Sequence, residues 1–480
     1  MVVGELLEGT DVLVVGGGPG GYVAAIRAAE LGRDVTLVEA QAVGGVCLNV
    51  GCIPSKALIT AADWAFRIPR LEAVGIHVEG VRVDLAALQR WKASVVTRLT
   101  GGVEQLLRAH GVKIVRGRAA FTGPGEAKVE TGSQVVRIAW RDAVVATGSR
   151  PAAPALLAPD GERVLDSTGA LALERVPERM VVVGGGYIGL ELGTVFAKLG
   201  SRVTVVEALD GILPGLSREL VRPVAARLAA LGVTVRTQAR VVAREAGADG
   251  VVLTVETAAG TERLEADVAL VAVGRRPNTE ELGLEHVGLR PDAGGYLSVD
   301  PARRTAAPHV YAIGDVAGGP LLAHKASMEG RVAAEAIAGR PGAAYDVRAL
   351  PAVIFTDPEI ATVGLSEAEA RAAGYDPVVG RFPFAANGRA LTLEAGEGFV
   401  KVVADRTSGV VLGAEMVGPE VSSLVAEVAL AIEGALTLED VAATVHAHPT
   451  LPETVAEAAE VALGLPIHVL GPTRRAPERP

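Results

Sequence analysis

The sequence predicts an α/β protein built from two duplicated parallel βαβ units, the second inserted in the first, with a smaller α+β domain closing the chain. Three observations predict it. A strand, Gly-rich turn, helix and second strand recur at a fixed offset: Gly16 to Gly184 and Glu39 to Glu207 are both 168 residues apart. Two similar strand ends, Ala143–Ser149 and Leu270–Asn278, bracket the second copy. From about residue 348 the pattern changes to β-like runs followed by an amphipathic helix.

The first copy begins with Asp11-Val12-Leu13-Val14-Val15, an apolar β-branched run, and turns at Gly16-Gly17-Gly18-Pro19-Gly20-Gly21. An Ala-rich helical stretch leads to Asp34-Val35-Thr36-Leu37-Val38-Glu39. The second copy reads Met180–Val183, Gly184-Gly185-Gly186-Tyr187-Ile188-Gly189, a helix, then Arg202–Glu207. Each carries G-x-G-x-x-G between a strand and a helix, with a carboxylate about 20 residues on. Glycines permit the tight turn and the close approach of backbone to a pyrophosphate. The helix N-terminus offers N–H groups and the positive end of its dipole. The carboxylate suits ribose hydroxyls. One such motif is weak evidence; two complete copies predict two Rossmann-like dinucleotide-binding domains.

The proline-marked stretch from Pro151 to Pro159 leads into the inserted copy, and Gly274 ends it. The run Thr305–Asp315, a strand ending in Gly-Asp, resumes the first domain. The expected organisation is therefore a discontinuous first domain over 1–149 and 275–347, an inserted domain over 150–274 and an α+β domain over 348–470. Strands are expected at Ala352–Phe355, Gly398–Val403 and Val410–Met416, with a helix over Ser422–Gly434. A Pro- and Arg-rich tail, 471–480, is expected to be disordered.

Of 480 residues only Cys47 and Cys52 are cysteines, and they stand together in Gly44-Gly45-Val46-Cys47-Leu48-Asn49-Val50-Gly51-Cys52-Ile53-Pro54-Ser55-Lys56. A loop this short would constrain the unfolded chain very little, so a structural staple is a poor explanation. A dithiol that opens and closes is the better one. Two buried small hydrophobes are the bland alternative. No further Cys or neighbouring His completes a zinc site, and no metal is expected. Pro54 suits the first turn of a helix, which would set Cys52 near the positive end and favour a thiolate. Gly51 would allow the bend that brings the sulfurs together.

Composition is globular, 49% hydrophobic and 21% charged, with a net charge of −10, which argues against a nucleic-acid surface. The opening Met1-Val2-Val3-Gly4-Glu5 lacks a signal peptide's basic start and apolar core. No run approaches ~18 uninterrupted apolar residues, so no membrane association is expected. A cytoplasmic, reducing compartment fits an isolated Cys pair.

These residues resemble the FAD-dependent pyridine nucleotide–disulfide oxidoreductases from about residue 10 to 468. The most specific marks are Cys47–Lys56 and His446-Ala447-His448-Pro449-Thr450-Leu451-Pro452-Glu453. Within that family the chain is most similar to the dihydrolipoamide-oxidising branch, the E3 component of 2-oxo acid dehydrogenase or glycine cleavage complexes. Glutathione reductases carry a second Lys in the Cys motif and lack the His-Ala-His run. Mercuric reductases carry extra C-terminal cysteines. Tyr187 stands where that branch has an aliphatic residue and glutathione reductases a Tyr, and Pro452 where Ser is frequent.

The resemblance implies FAD at the first fingerprint (Gly16, Gly18, Gly21, Glu39), completed by Lys56, Thr147, Gly148, Ser149, Asp315 and Ala323. It implies NAD at the second (Gly184, Gly186, Gly189, Glu191, Glu207, Gly274). A carboxylate at Glu207, followed by Ala208-Leu209-Asp210 without Arg, favours NAD over NADP. Cys52 would be the flavin-facing sulfur and Cys47 the one that meets substrate. Lys56 would pair with Glu191, and His448, oriented by Glu453, would exchange protons with substrate thiols. His446 would be structural. The resemblance also implies a homodimer, with 348–470 as the interface domain and His448 serving the partner's Cys pair. Lipoyl domains and the E2 core would be its partners. The alternatives are another FAD-dependent disulfide or metal-ion reductase, and a non-catalytic FAD-containing docking subunit.

Overall fold

A computed structural model describes residues 6–132, 134–247 and 249–470. The tail 471–480 lies outside the described residues. The chain divides into two compact units. One holds the residues up to Gly184 with Lys198–Ser201 and Arg240–Asp346; the other holds Gly185–Ala197, Arg202–Ala239 and the residues from Val347 on.

The first unit is organised on a seven-stranded sheet. Strand β1 (Leu6–Val15) leads through helix α1 (Pro19–Glu30) to β2 (Val35–Glu39). A short helix α2 (Gly45–Val50), helix α3 (Cys52–Arg67) and helix α4 (Leu85–Ala109) precede β3 (Lys113–Arg116). Strands β4 (Arg118–Gly123), β5 (Glu126–Glu130) and β6 (Val135–Val145) follow. The sheet order is β3-β2-β1-β6-β5-β4, and Val310–Ala312 also pairs with β6. β1, β2, β3 and Val310–Ala312 run parallel, with Val15 opposite both Val38 and Val145, so their C-terminal ends share one edge. Ligands of open parallel sheets bind outside that edge.

Every residue of β2 is buried, as expected for a strand covered on both faces. Val12, Val14, Leu37 and Val144 pack with Ala24, Ala25 and Ala28 of α1 and with Ala333 and Ala334 of the helix Ala323–Ile337. Leu13, Val15, Val145 and Ala312 face Phe121, Trp140 and Leu297 on the other side. Each such aliphatic side chain contributes about 1.5–3 kcal/mol by leaving water. The same unit carries parallel strands Val164–Leu165, Arg179–Val183 and Val268–Val271, and an antiparallel trio over Arg240–Ala266. Strand β7 (Ser149–Pro151) pairs antiparallel with Arg275–Pro277, which joins the two ends of the intervening chain.

The run Gly45–Val74 is long and apolar enough by composition to cross a membrane. It is not one rod: it breaks at Gly51 and tightens to a 3-10 helix at Ile68–Val74.

In the second unit, Arg202–Val206 and Thr234–Arg236 pair in parallel. An antiparallel sheet of five strands runs Ala352–Ile354, Glu359–Gly364, Val411–Gly418, Phe399–Asp405, Pro377–Pro383 in spatial order. Helices Val421–Glu433 and Glu453–Ala462 bury Val421, Val425, Val428, Val455 and Ala458 with Phe382 and Val400 from the sheet and Phe384 just beyond it. Lys401, 6% exposed, bridges Glu415 and Glu219.

Candidate active site

The first Gly-rich turn fits its backbone so closely that other residues are shut out. Gly16 sits at φ +105°, and a Cβ there would stand 2.3 Å from the Ala146 carbonyl oxygen. At Gly21 a Cβ would come to 1.8 Å from the Gly16 carbonyl oxygen. Gly18 is the N-cap of α1, with no side-chain cap, no acid in the first turn and Pro19 opening the helix. Uncapped N–H groups and an unopposed dipole make this helix end suited to a pyrophosphate. Glu39, 8% exposed, is held by two backbone donors: Gly17 N–H to Oε2 at 2.7 Å and Gln41 N–H to Oε1 at 2.7 Å. Its remaining lone pairs can take ribose hydroxyls.

The second copy repeats these contacts. Gly184 has φ +112°, with the Ala272 carbonyl oxygen 2.3 Å from a would-be Cβ. Glu207, also 8% exposed, accepts Gly185 N–H on Oε2 at 2.6 Å and Leu209 N–H on Oε1 at 2.8 Å. The helix Tyr187–Lys198 has no acid in its first turn, and a Cβ on Gly186 would have nothing within 4 Å. Gly189 is buried in that helix, Tyr187 is exposed, and Gly274 takes φ +128° with open space beside it. Both cradles therefore fit a dinucleotide.

The cysteine segment is fastened to the first turn. Gly44 N–H donates to the Gly17 carbonyl at 2.8 Å. Gly45 comes so near that a Cβ would lie 2.7 Å from Gly18 Cα. Asn49 Nδ2 donates to Gly45 O at 2.9 Å and Val43 O at 3.1 Å, which folds α2 back on its own approach. Cys47 is half-buried in α2, and Cys52, exposed, is the first residue of α3. Gly51 separates the helices, and a Cβ there would meet the Val46 carbonyl oxygen at 2.9 Å. Pro54 lies in the first turn of α3.

The sulfurs interact as free thiols. The Cys47 thiol is pushed far up, first by its hydrogen bond to the Cys52 sulfur, then by burial and by negative charge on Cys52; the Lys56 ammonium works in the opposite direction. Tyr22, just after Gly21, has its hydroxyl pushed up by burial and then by the charge of Cys47.

A second polar group lies where β6 ends. Thr147 Oγ1 donates to Asn278 O at 2.6 Å, and Asn278 Nδ2 donates to Thr147 O at 2.9 Å. Asn278 N–H donates to Gly148 O at 2.9 Å, with Gly148 at φ +69°. Ser149 Oγ donates to Asp315 Oδ2, and Arg275 bonds Ser149 Oγ and Ser149 O, each at 2.7 Å. Ala323 begins the helix Ala323–Ile337.

In the second unit His448 stands 79% exposed with Nδ1 2.8 Å from Glu453 Oε1, and Glu453 Oε2 accepts Thr450 N–H at 2.7 Å. Burial raises the Glu453 pKa, but Thr450 N–H and the hydrogen bond and charge of His448 outweigh it, and the net shift is down. His446 is 9% exposed and held between Thr444 O and Glu427, both at 2.8 Å. Glu191 is 4% exposed and accepts Phe355 N–H at 2.9 Å.

The first unit thus gathers Cys47, Cys52, Lys56, the first fingerprint, Thr147–Ser149, Asp315, Ala323, Gly184 and Gly274. The second gathers Gly186, Gly189, Glu191, Glu207, His448 and Glu453. Sequence reasoning passed over Tyr22, Asn49, Arg275 and Asn278. Arg275 and Asn278 lie in the strand end Leu270–Asn278, and its likeness to Ala143–Ser149 is the signal in the sequence that sets the two ends side by side.

A family profile described as pyridine nucleotide-disulphide oxidoreductase matches residues 10–330, and the family's dimerisation domain matches 350–459. A dihydrolipoyl dehydrogenase of Geobacillus stearothermophilus is 51% identical over 473 residues, covering 98% of this chain and 100% of the relative. One from Halobacterium salinarum is 54% identical over 474 residues with the same coverage. Among solved structures, LpdA of Mycobacterium tuberculosis aligns with TM-score 0.88 at 31% identity, over 94% of this chain and 99% of that one. The HOCl-induced flavoprotein disulfide reductase RclA of Escherichia coli aligns with TM-score 0.84 at 26% identity, over 94% and 99%.

Proposed function

The chain belongs to the pyridine nucleotide-disulphide oxidoreductase family, and from that premise we propose how its residues divide the work of a dihydrolipoyl dehydrogenase. The reaction converts dihydrolipoamide and NAD+ into lipoamide, NADH and a proton. FAD, when bound, supplies a two-electron relay between the dithiol chemistry and the nicotinamide.

One observation carries the division: the interacting Cys47 and Cys52 sulfurs are pinned against the first fingerprint by Gly44 and Gly45. Gly16, Gly18, Gly21 and Glu39 hold FAD, with Thr147, Gly148, Ser149, Asp315 and Ala323 completing its site. Lys56 would supply a positive charge toward FAD. Gly184, Gly186, Gly189, Glu207 and Gly274 hold NAD. The fixed carboxylate of Glu207 accepts from a free 2′-hydroxyl and repels a 2′-phosphate.

In the thiol half, a substrate thiolate attacks the Cys47 sulfur of the Cys47–Cys52 disulfide, and Cys52 leaves as thiolate. The second substrate thiolate then displaces Cys47, releasing lipoamide. His448 takes the protons that these thiols must lose, through the Nε2 that Glu453 leaves open, while Glu453 steadies the imidazolium.

His448 serves the Cys pair of a second copy, so the working form is a homodimer. The dimerisation-domain match supports this, as do Leu430 and Val445 within it, 70% and 96% exposed. Lipoyl domains and the E2 core of 2-oxo acid dehydrogenase or glycine cleavage complexes are its partners, in the cytoplasm. The functional domains are 1–149 with 275–347 for FAD, 150–274 for NAD and 348–470 for the interface.

The test is a substrate panel on purified protein. Dihydrolipoamide with NAD+ is expected to outpace glutathione disulfide with NADPH; the reverse preference would overturn the reading. A non-catalytic docking subunit is excluded by finding two NADH-titratable thiols per chain.

A further inference from the structure

We propose that Arg275 is a positioning residue for the flavin-binding carboxylate, acting on Asp315 through the hydroxyl of Ser149. The inference rests on the reading above that Asp315 contacts FAD.

A serine hydroxyl has one proton, and its lone pairs let it accept as well as donate. Arg can only donate. Arg275 Nε reaches Ser149 Oγ at 2.7 Å, so at that contact the serine oxygen must accept. Its single proton is then free to go to Asp315 Oδ2. Ser149 is 2% exposed, so water does not readily supply a substitute partner. The second prong of the fork, Arg275 Nη2 to Ser149 O at 2.7 Å, fixes the guanidinium against the strand that carries the serine. One oxygen of Asp315 is thereby committed, and the carboxylate's orientation follows.

The backbone of the same turn is held separately. Gly314 N–H donates to Glu329 Oε2 at 2.7 Å, and Glu329, fully buried, is matched by Arg303 at 2.8 Å and Lys325 at 3.2 Å. The Glu329 cluster therefore sets where the turn lies, and the Arg275–Ser149 pair sets where the Asp315 carboxylate points. Arg275 directly follows Gly274 and pairs with Pro151 across the two-stranded join. The residue that aims the FAD contact is thus carried by the chain returning from the second nucleotide fold.

Lysine at 275 keeps the charge but cannot form the two-pronged contact. A hydrogen bond to a charged group is worth about 1.5–3 kcal/mol, so the expected loss is about tenfold or more in FAD affinity. The experiment titrates FAD-stripped full-length protein with FAD for wild type, R275K, S149A, the double variant and D315N. R275K and S149A are each expected to bind FAD about tenfold or more weakly. The double variant is expected to bind no more weakly than S149A alone, because the two groups act in series. A merely structural role for Arg275 gives losses that add. Additive losses, or R275K binding like wild type, would overturn the proposal. Wild-type binding by D315N would instead remove the assignment of Asp315 to FAD, on which the proposal rests.

Discussion

The two Gly-rich turns are alike in backbone and differ in what is fastened to them. In each, the first glycine has a left-handed φ near +110° and a carbonyl oxygen 2.3 Å from its missing Cβ. Each closing glutamate accepts two backbone N–H groups from matching positions. Even the next contact recurs: the Gly17 carbonyl accepts Gly44 N–H, and the Gly185 carbonyl accepts Leu213 N–H, both at 2.8 Å. After that the copies part. Gly44 and Gly45 bring a dithiol onto the first turn, whereas the second receives Ile212 and Leu213, buried aliphatic residues with no redox chemistry. The duplication repeats the cradle, and what differs between the copies is the segment laid over each.

Substitutions that touch one copy should therefore have one-sided effects. The largest belongs to the dithiol: Cys52→Ser should abolish dihydrolipoamide oxidation while the protein stays yellow, measured by turnover and bound flavin. Gly16→Ala and Gly184→Ala should each cost about 2 kcal/mol or more locally, from a side chain at positive φ against a carbonyl oxygen. G16A is expected to lose FAD; G184A should keep FAD and fail to be reduced by NADH. Loss of flavin from both would break the division between copies. His448→Gln should slow turnover about 10²–10⁴-fold with FAD retained, the usual contribution of a general acid–base. Near-normal turnover would remove His448 from the mechanism. Glu207→Gln should raise the KM for NAD+ about tenfold and narrow its advantage over NADP+.

The smallest effect concerns pH. The Glu453 pKa lies below the usual carboxylate range because Thr450 N–H and His448 outweigh burial. A lowered folded-state pKa stabilises above the ordinary carboxyl pKa of about 4.3, and that stability is lost as pH falls through the lowered value. Glu453→Gln should therefore flatten the acid limb of a stability–pH curve and lower the curve above pH 7 without changing its slope there. An unaltered acid limb would show that the turn does not hold the carboxylate as described.

Much of this was legible in the sequence because it is written in local spacing. Gly16, Gly184, Glu39 and Glu207 sit in contiguous motifs whose geometry follows from chain connectivity. The C-terminal runs appeared as strands Ala352–Ile354, Phe399–Asp405 and Val411–Gly418 and helix Val421–Glu433. What the sequence hid is tertiary. Arg275 reaches Ser149 across 126 positions, and only the pairing of two three-residue strands makes that contact possible. Tyr22 stands 25 positions before Cys47, and only the fastening of Gly44 and Gly45 to the first turn brings the two segments together. Asn49 resembles any polar residue in the Cys motif until its amide is seen holding Gly45 and Val43.

The most direct measurement is an anaerobic titration of the purified yellow protein with dihydrolipoamide, followed by NAD+ or NADP+, read from the flavin absorbance. Dihydrolipoamide should reduce the protein by two electrons per chain, and NAD+ should restore the oxidised spectrum where NADP+ does not. A spectrum unmoved by dihydrolipoamide, or restored equally well by NADP+, would contradict the account.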